Sequence, residues 1–171
     1  MVKIIAFSLD KKHEIPQVEI PAEIKIEQWH PSFTKPIPPL SSITYIVFYF
    51  FHIISIFKNK RYGAFILKDK RSNKILSQIV CIPACFRWSF MEKEDIQIKD
   101  VLTLPSYRGN GFANILLQHI INNYAKENYK IWYMTSENNI ASIKLAKKNG
   151  FVKKGIYSLE RKGIVSKGKI I

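Results

Sequence analysis

Arg108-Gly109-Asn110-Gly111-Phe112-Ala113 is the stretch of this 171-residue chain whose residue types and spacing best suit a chemical task. It follows a strand-like run ending at Leu104 and Pro105. It leads into a helical pattern of Ile115, Leu116, His119, Ile120, Asn123 and Tyr124. Glycines between a strand and a helix let the backbone come close to a ligand, and the first turn of a helix offers unpaired N–H groups and positive partial charge. That is chemistry for holding a phosphate, although the same spacing also suits a plain tight connection. No Gly-Lys-Ser/Thr follows, so the turn is not a P-loop, and Asn114 stands where a dinucleotide G-x-G-x-x-G has its last glycine. A second string, Gly163 to Lys169, matches most of a Walker A sequence but is set aside, because little chain follows to form its helix. Cys81 and Cys85 lack a second Cys or His pair to complete a zinc site, and no HExxH or EF-hand pattern occurs, so no metal is expected. Two cysteines in this setting point to a reducing, cytoplasmic compartment.

These residues need a scaffold, and the composition describes one. The chain is 47% hydrophobic and 23% charged, with 7 Gly and 8 Pro. That excludes disorder, collagen and coiled coil and suits a globular fold. At this length one domain spanning residues 1–171 is expected. The net charge of +14 favours an anionic partner without choosing among nucleic acid, a membrane surface and a phosphorylated ligand. Lysines are spread along the chain rather than clustered, which speaks against a nucleic-acid module. Met1 to Leu9 soon meets Asp10, Lys11 and Lys12 and does not read as a signal peptide.

Met1 to Ser8 reads as a first strand, followed by a connection from Glu14 to Pro39 in which six prolines argue against a regular helix. Ser41 to Phe57 is apolar over most of its length but short of the roughly 20 residues a bilayer span needs. As a helix it places Ile43, Ile46, Val47, Phe50, Ile53, Ile54 and Phe57 on one face, the expected buried face. Tyr45, Phe48, Tyr49, Phe51 and His52 make the other side richer in rings than a solvated face should be. Core helix, substrate-groove wall, dimer wall and membrane contact all stay open for this segment. Tyr62 to Lys68 and Lys74 to Ile82 form a hairpin about a polar turn, and Ile96 to Leu104 gives a further strand. Lys130 to Thr135 is another, Asn139 to Asn149 is an amphipathic helix closed by Gly150, and Phe151 to Glu160 supplies one or two last strands. The alternation gives an α/β fold.

Two motifs in the second half resemble the GNAT superfamily of acetyl-CoA-dependent N-acetyltransferases. Arg108 to Ala113 fits the Q/R-x-x-G-x-G/A pyrophosphate loop, preceded by Pro105-Ser106-Tyr107. Glu137-Asn138-Asn139-Ile140-Ala141-Ser142-Ile143-Lys144-Leu145-Ala146-Lys147-Lys148-Asn149-Gly150-Phe151 fits the second signature loosely. The resemblance covers Ile96 to Phe151 well. It implies a mixed central sheet splayed at a cofactor cleft, with helices on both faces. Acetyl-CoA would be the acetyl donor, its pantetheine arm pairing with the backbone of Val101, Leu102, Thr103 and Leu104. Its pyrophosphate would lie on Arg108, Gly109, Asn110, Gly111, Phe112 and Ala113, with Asn139, Ser142 and Lys148 (or Lys144) at the second helix.

The family mechanism is direct attack of an amine on the thioester, which calls for a base, an oxyanion-binding N–H and an acid. The resemblance offers the backbone near Leu102 for the oxyanion and Asp100 as the first choice of base, with Glu92, Glu94 and Asp95 behind it. Many members place an acidic tyrosine where this chain has Ala146, which leaves that role vacant or passes it to Tyr133 or Tyr157. Phe86, Arg87 and Trp88, together with the helix Ile43 to Phe57, would flank the acceptor side. Aromatic faces and an arginine suit a small-molecule amine such as an amino sugar carrying a nucleotide or lipid tail, with a peptide amine second. Beside the N-acetyltransferase stand two other readings: a GNAT-fold protein that binds acetyl-CoA without efficient chemistry, and a basic nucleic-acid or membrane-surface module.

Overall fold

A computed structural model describes residues 3–9, 19–124, 130–162 and 165–170. Met1, Asp10 to Lys12, Pro16 and Gly163, which entered the sequence reading, lie outside them. The strands are β1 (Lys3–Leu9), β2 (Ile24–Trp29), β3 (Gly63–Asp69), β4 (Ile75–Pro83), β5 (Ile96–Thr103), β6 (Ile131–Ser136), β7 (Val152–Lys162) and β8 (Val165–Ile170). The helices are α1 (Ile46–Ile53), which continues a 3₁₀ turn at Ile43–Tyr45, then α2 (Phe112–Tyr124) and α3 (Ile140–Lys148). The strands make one mixed sheet in the order β2-β3-β4-β5-β6-β1-β7-β8. All neighbours are antiparallel except β5 and β6.

β3 and β4 read as continuous apolar runs because both faces of the sheet are covered there. Phe65, Leu67, Ile79 and Cys81 join the main core beneath α2. Ala64, Ile66, Val80 and Ile82 meet Tyr45, Phe57 and Tyr62 on the opposite side, under α1. Helices therefore lie on both faces, as expected. Both cysteines are free and buried, and burial pushes the Cys81 thiol up, which suits packing rather than reactivity.

Two expectations change. The proline-rich connection contains β2, because Pro21 and Pro31 flank Ile24–Trp29 without entering it, and its alternating apolar residues pair with β3. The run read as a first strand, Met1 to Ser8, forms β1 at Lys3–Leu9, which sits between β6 and β7, antiparallel to both. The apolar helix ends at Ile53 rather than Phe57, and although Phe57 is buried beyond its end as expected, the helix itself presents the opposite face from the one expected. Tyr45, Phe48 and Phe51 turn inward, where Phe48 stacks on Phe57 and tilts against Tyr62. Ile43, Val47, Phe50, Ile53 and Ile54 stay exposed. Apolar spacing could not choose between two apolar faces, and the rings win because each buries more area and makes specific edge and stacking contacts.

Asp95, held in reserve as a catalytic base, is a structural carboxylate. It is 2% exposed. It accepts hydrogen bonds from the Lys130 N–H at 3.0 Å, the Glu92 N–H at 2.9 Å and Trp132 Nε1 at 2.8 Å, tying the loop before β5 to the start of β6. Asp95→Ala would strand three donors and is expected to cost about 3 kcal/mol. In a thermal melt this should appear as a midpoint lowered by roughly 6–12 °C. A midpoint within a degree or two of the wild type would show that water replaces the carboxylate.

Candidate active site

β5 and β6 begin side by side and then part. Their parallel ladder covers only Ile96–Ile98 against Ile131–Tyr133; beyond it β5 keeps β4 as its partner, while β6 continues along β1. A cavity of about 330 Å³ occupies the gap, lined by Ile98 to Leu102 on one wall and by Tyr133 to Ser136, Asn139 and Ser142 on the other.

The parting coincides with a bulge. Gln78 pairs with Leu102 and Val80 with Lys99, so β5 spends one residue more than β4 over this stretch. Asp100 lies in the bulge with φ +47°, in the left-handed region that Asp and Asn tolerate better than other non-glycine residues. Its carboxylate accepts hydrogen bonds from Tyr45 Oη and, at 3.2 Å, from Lys99 Nζ. Burial, and after it the Asp100 charge, pushes the Tyr45 phenol up, so it remains a protonated donor. Tyr45 is placed by the chain before α1, where Gln78 Oε1 accepts from the Leu40 N–H and Gln78 Nε2 donates to Ser41 Oγ.

Past the end of β5 the glycine turn has the conformation its residues suggest. Gly109 and Gly111 have φ of +85° and +76°. The Gly111 carbonyl accepts from the Asn114 and Ile115 N–H groups, so α2 starts there and its first N–H groups lack intrahelical partners. Arg108 Nε donates to the Thr103 carbonyl at 3.3 Å, fastening the turn to the strand that lines the cavity.

Across the gap, Tyr133 is 1% exposed and its hydroxyl lies 2.7 Å from Ser142 Oγ. Asn139 caps α3 by accepting the Ser142 N–H. Asp100, Val101, Leu102, Tyr133, Asn139 and Ser142 are thus brought to one cavity, joined by Arg87 and Trp88. Trp88 Nε1 donates to Gln97 Oε1 at 3.0 Å. Other candidates lie outside the lining. Phe86 packs edge-on against Phe51, and Tyr157 packs against Trp88 and Phe90. Lys148 is exposed on α3, Glu94 pairs with Arg61 at 2.7 Å, and Glu92 stands 3.8 Å from Lys130. Ala146 is wholly buried in the main core. The sequence reading missed Tyr45 and Lys99. Tyr45 and Tyr49 both stand among the phenylalanines of the apolar segment, and the bond to Asp100 is what sets the former apart.

A sheet opened at a bulge, next to a glycine turn that starts a helix, defines a protein able to take an extended ligand between two strands and an anion at the turn. The sequence model of the acetyltransferase (GNAT) family matches residues 24–151. The chain belongs to that family. Solved structures agree at the level of the fold. A GCN5-related N-acetyltransferase from Sphaerobacter thermophilus superposes with a TM-score of 0.63 at 15% identity, over 91% of this chain and 49% of that one. A GNAT-family acetyltransferase from Colwellia psychrerythraea gives 0.58 at 17% identity, over 90% and 53%. A tandem GNAT protein from the clavulanic acid biosynthesis pathway gives 0.61 at 11% identity, over 89% and 50%. The chain therefore spans about half the length of these structures. No curated protein matches it.

Proposed function

We propose that the chain is an N-acetyltransferase that uses acetyl-CoA to acetylate a primary amine of a small molecule. The observation that carries this reading is the parting of β5 from β6 beside the glycine turn, which leaves strand backbone facing a cavity and helix N–H groups beyond its end. These features fit an extended amide-bearing arm and a pyrophosphate: the first by strand addition, the second by positive partial charge. Val101 to Leu104 would hold the arm, Arg108 to Ala113 the pyrophosphate, and Asn139 and Ser142 the opposite wall, with Lys148 further along α3. Acetyl-CoA supplies an activated acyl carbonyl and a thiolate leaving group. Asp100 takes the proton the amine gives up. N–H groups of β5 near Leu102 stabilise the charge that develops on oxygen. Tyr133, the buried phenol on the cavity wall, is the proton donor for sulfur in place of the residue missing at position 146, since Tyr157 stands behind Trp88.

Arg87 and Trp88 at the cavity favour an amino sugar with a phosphate-bearing tail as acceptor. Residues 1–171 act as one domain in a cytoplasmic setting. A second reading, acetyl-CoA binding with little turnover, draws on the buried Ala146.

The test is calorimetric titration with acetyl-CoA, using ATP and a short DNA duplex as anionic controls, followed by a screen of amino-sugar acceptors. One-site binding of acetyl-CoA alone is expected. Binding of every polyanion, or of none, would reject the reading; binding without turnover on any amine would favour the second.

A further inference from the structure

The outer side of α1 and its preceding turn is apolar and uncovered. Ile43, Val47, Phe50, Ile53 and Ile54 are 74, 38, 55, 57 and 62% exposed and recur at helical spacing. Isolated exposed apolar side chains need no partner, but a contiguous stripe of five marks a contact surface. The helix cannot roll to hide it, because the inner face is committed: Tyr45 bonds Asp100, and Phe48 and Phe51 pack on Phe57.

The segment that carries the stripe is basic in sequence, and the carboxylates that reach it in space, Asp100, Glu94 and Glu27, are each engaged with Tyr45, Arg61 and Lys68. Between Glu27 and Asp69 the sequence has no carboxylate, while Lys35, Lys58, Lys60, Arg61 and Lys68 supply five cations. Lys68 and Arg61 are paired with Glu27 and Glu94. Lys58 and Lys60 come a few residues after the helix and are exposed, Lys58 Nζ donating one hydrogen bond to the Met91 carbonyl at 3.3 Å. A second copy of the chain would bring the same cations and a net +14 of its own. Nucleic acid would match the lysines and leave the isoleucines and Phe50 in water. A bilayer interface rich in anionic lipid satisfies both.

We propose that the outer face of α1 seats in the headgroup region of an anionic membrane, with Ile43, Val47, Phe50, Ile53 and Ile54 inserted and Lys58 and Lys60 on lipid phosphates. This is surface attachment: among the described residues no helix is long and apolar enough to cross a membrane. It is independent of the acetyl-transfer reading, although Tyr45 links the attached segment to Asp100 on the cavity wall.

The experiment is flotation of the full chain with phosphatidylcholine vesicles with and without phosphatidylglycerol, at low and high salt. The expected result is binding to the anionic vesicles alone, weakened by salt. Binding should fall at least about tenfold in the Phe50→Ser/Ile54→Ser double variant and about tenfold in Lys60→Glu. Both variants alter exposed side chains, so their thermal melts should match the wild type. Equal binding to both vesicle types, no binding, or a serine variant that floats like the wild type would overturn the proposal. So would a wild-type dimer in light scattering that the serine variant turns into monomer, which would give the stripe to a second copy.

Discussion

Arg108→Glu is expected to weaken acetyl-CoA binding at least about a hundredfold while leaving the thermal melt unchanged. The side chain is exposed, and its recorded hydrogen bond is the 3.3 Å contact to the Thr103 carbonyl, so the fold loses little with it. For a pyrophosphate on the turn, the exchange replaces an attraction by a repulsion. Each unit charge about 5 Å away near a protein surface is worth about 3 kcal/mol. A hundredfold in affinity requires only about 2.7 kcal/mol, so screening by salt still leaves the predicted loss measurable. Substituting Gly109 or Gly111 would be a poorer test. A Cβ at either would meet nothing within 4 Å, so the cost would come from the positive φ and would mix stability with binding. Calorimetry on Arg108→Glu decides the matter: normal affinity would reduce the turn to a connector and detach the cofactor from this end of the cavity.

The parts of the fold that sequence could reveal are those governed by local rules. The turn from Arg108 to Gly111, the helix following Glu137 and Asn138, the stop at Gly150 and the hairpin from β3 to β4 each follow from residue type and short spacing, and each is present. What stayed hidden depends on which strand lies beside which. Met1 to Ser8 reads as a strand, but nothing within it says that β1 enters between β6 and β7. Asp95 reads as one of several acids before β5; its three donors come from Glu92, Lys130 and Trp132, two of them more than thirty residues away. The orientation of α1 escaped for a related reason. Its inner face is selected by Phe57, Tyr62 and the Asp100 carboxylate, none of which contributes to the helix's own periodicity. Asp100 itself was legible as a candidate through the family resemblance, whereas its bulge and its tyrosine partner belong to tertiary structure.

That pairing yields the second large effect: Asp100→Asn is expected to lower kcat by two to four orders of magnitude, the range for loss of a general base, with acetyl-CoA affinity unchanged. Asparagine is the informative replacement. It tolerates the left-handed conformation at φ +47° and keeps nearly the same shape, so the bulge survives while the negative charge, with the proposed proton acceptor and the Lys99 ion pair, is lost. Alanine would add backbone strain of about 1–3 kcal/mol and confuse chemistry with folding. Tyr45→Phe separates holding from accepting. It leaves the carboxylate in place with Lys99 still 3.2 Å away but removes the donor on Oδ2, so a fall in kcat of about tenfold at unchanged acetyl-CoA KM is expected. Pre-steady-state measurement of acetyl transfer would keep slow product release from masking either change. If Asp100→Asn turns over at the wild-type rate while still binding acetyl-CoA, proton removal belongs to water in the 330 Å³ cavity. The carboxylate would then serve only to anchor α1 to β5 through Tyr45, and Tyr45→Phe should lower the melting temperature rather than kcat.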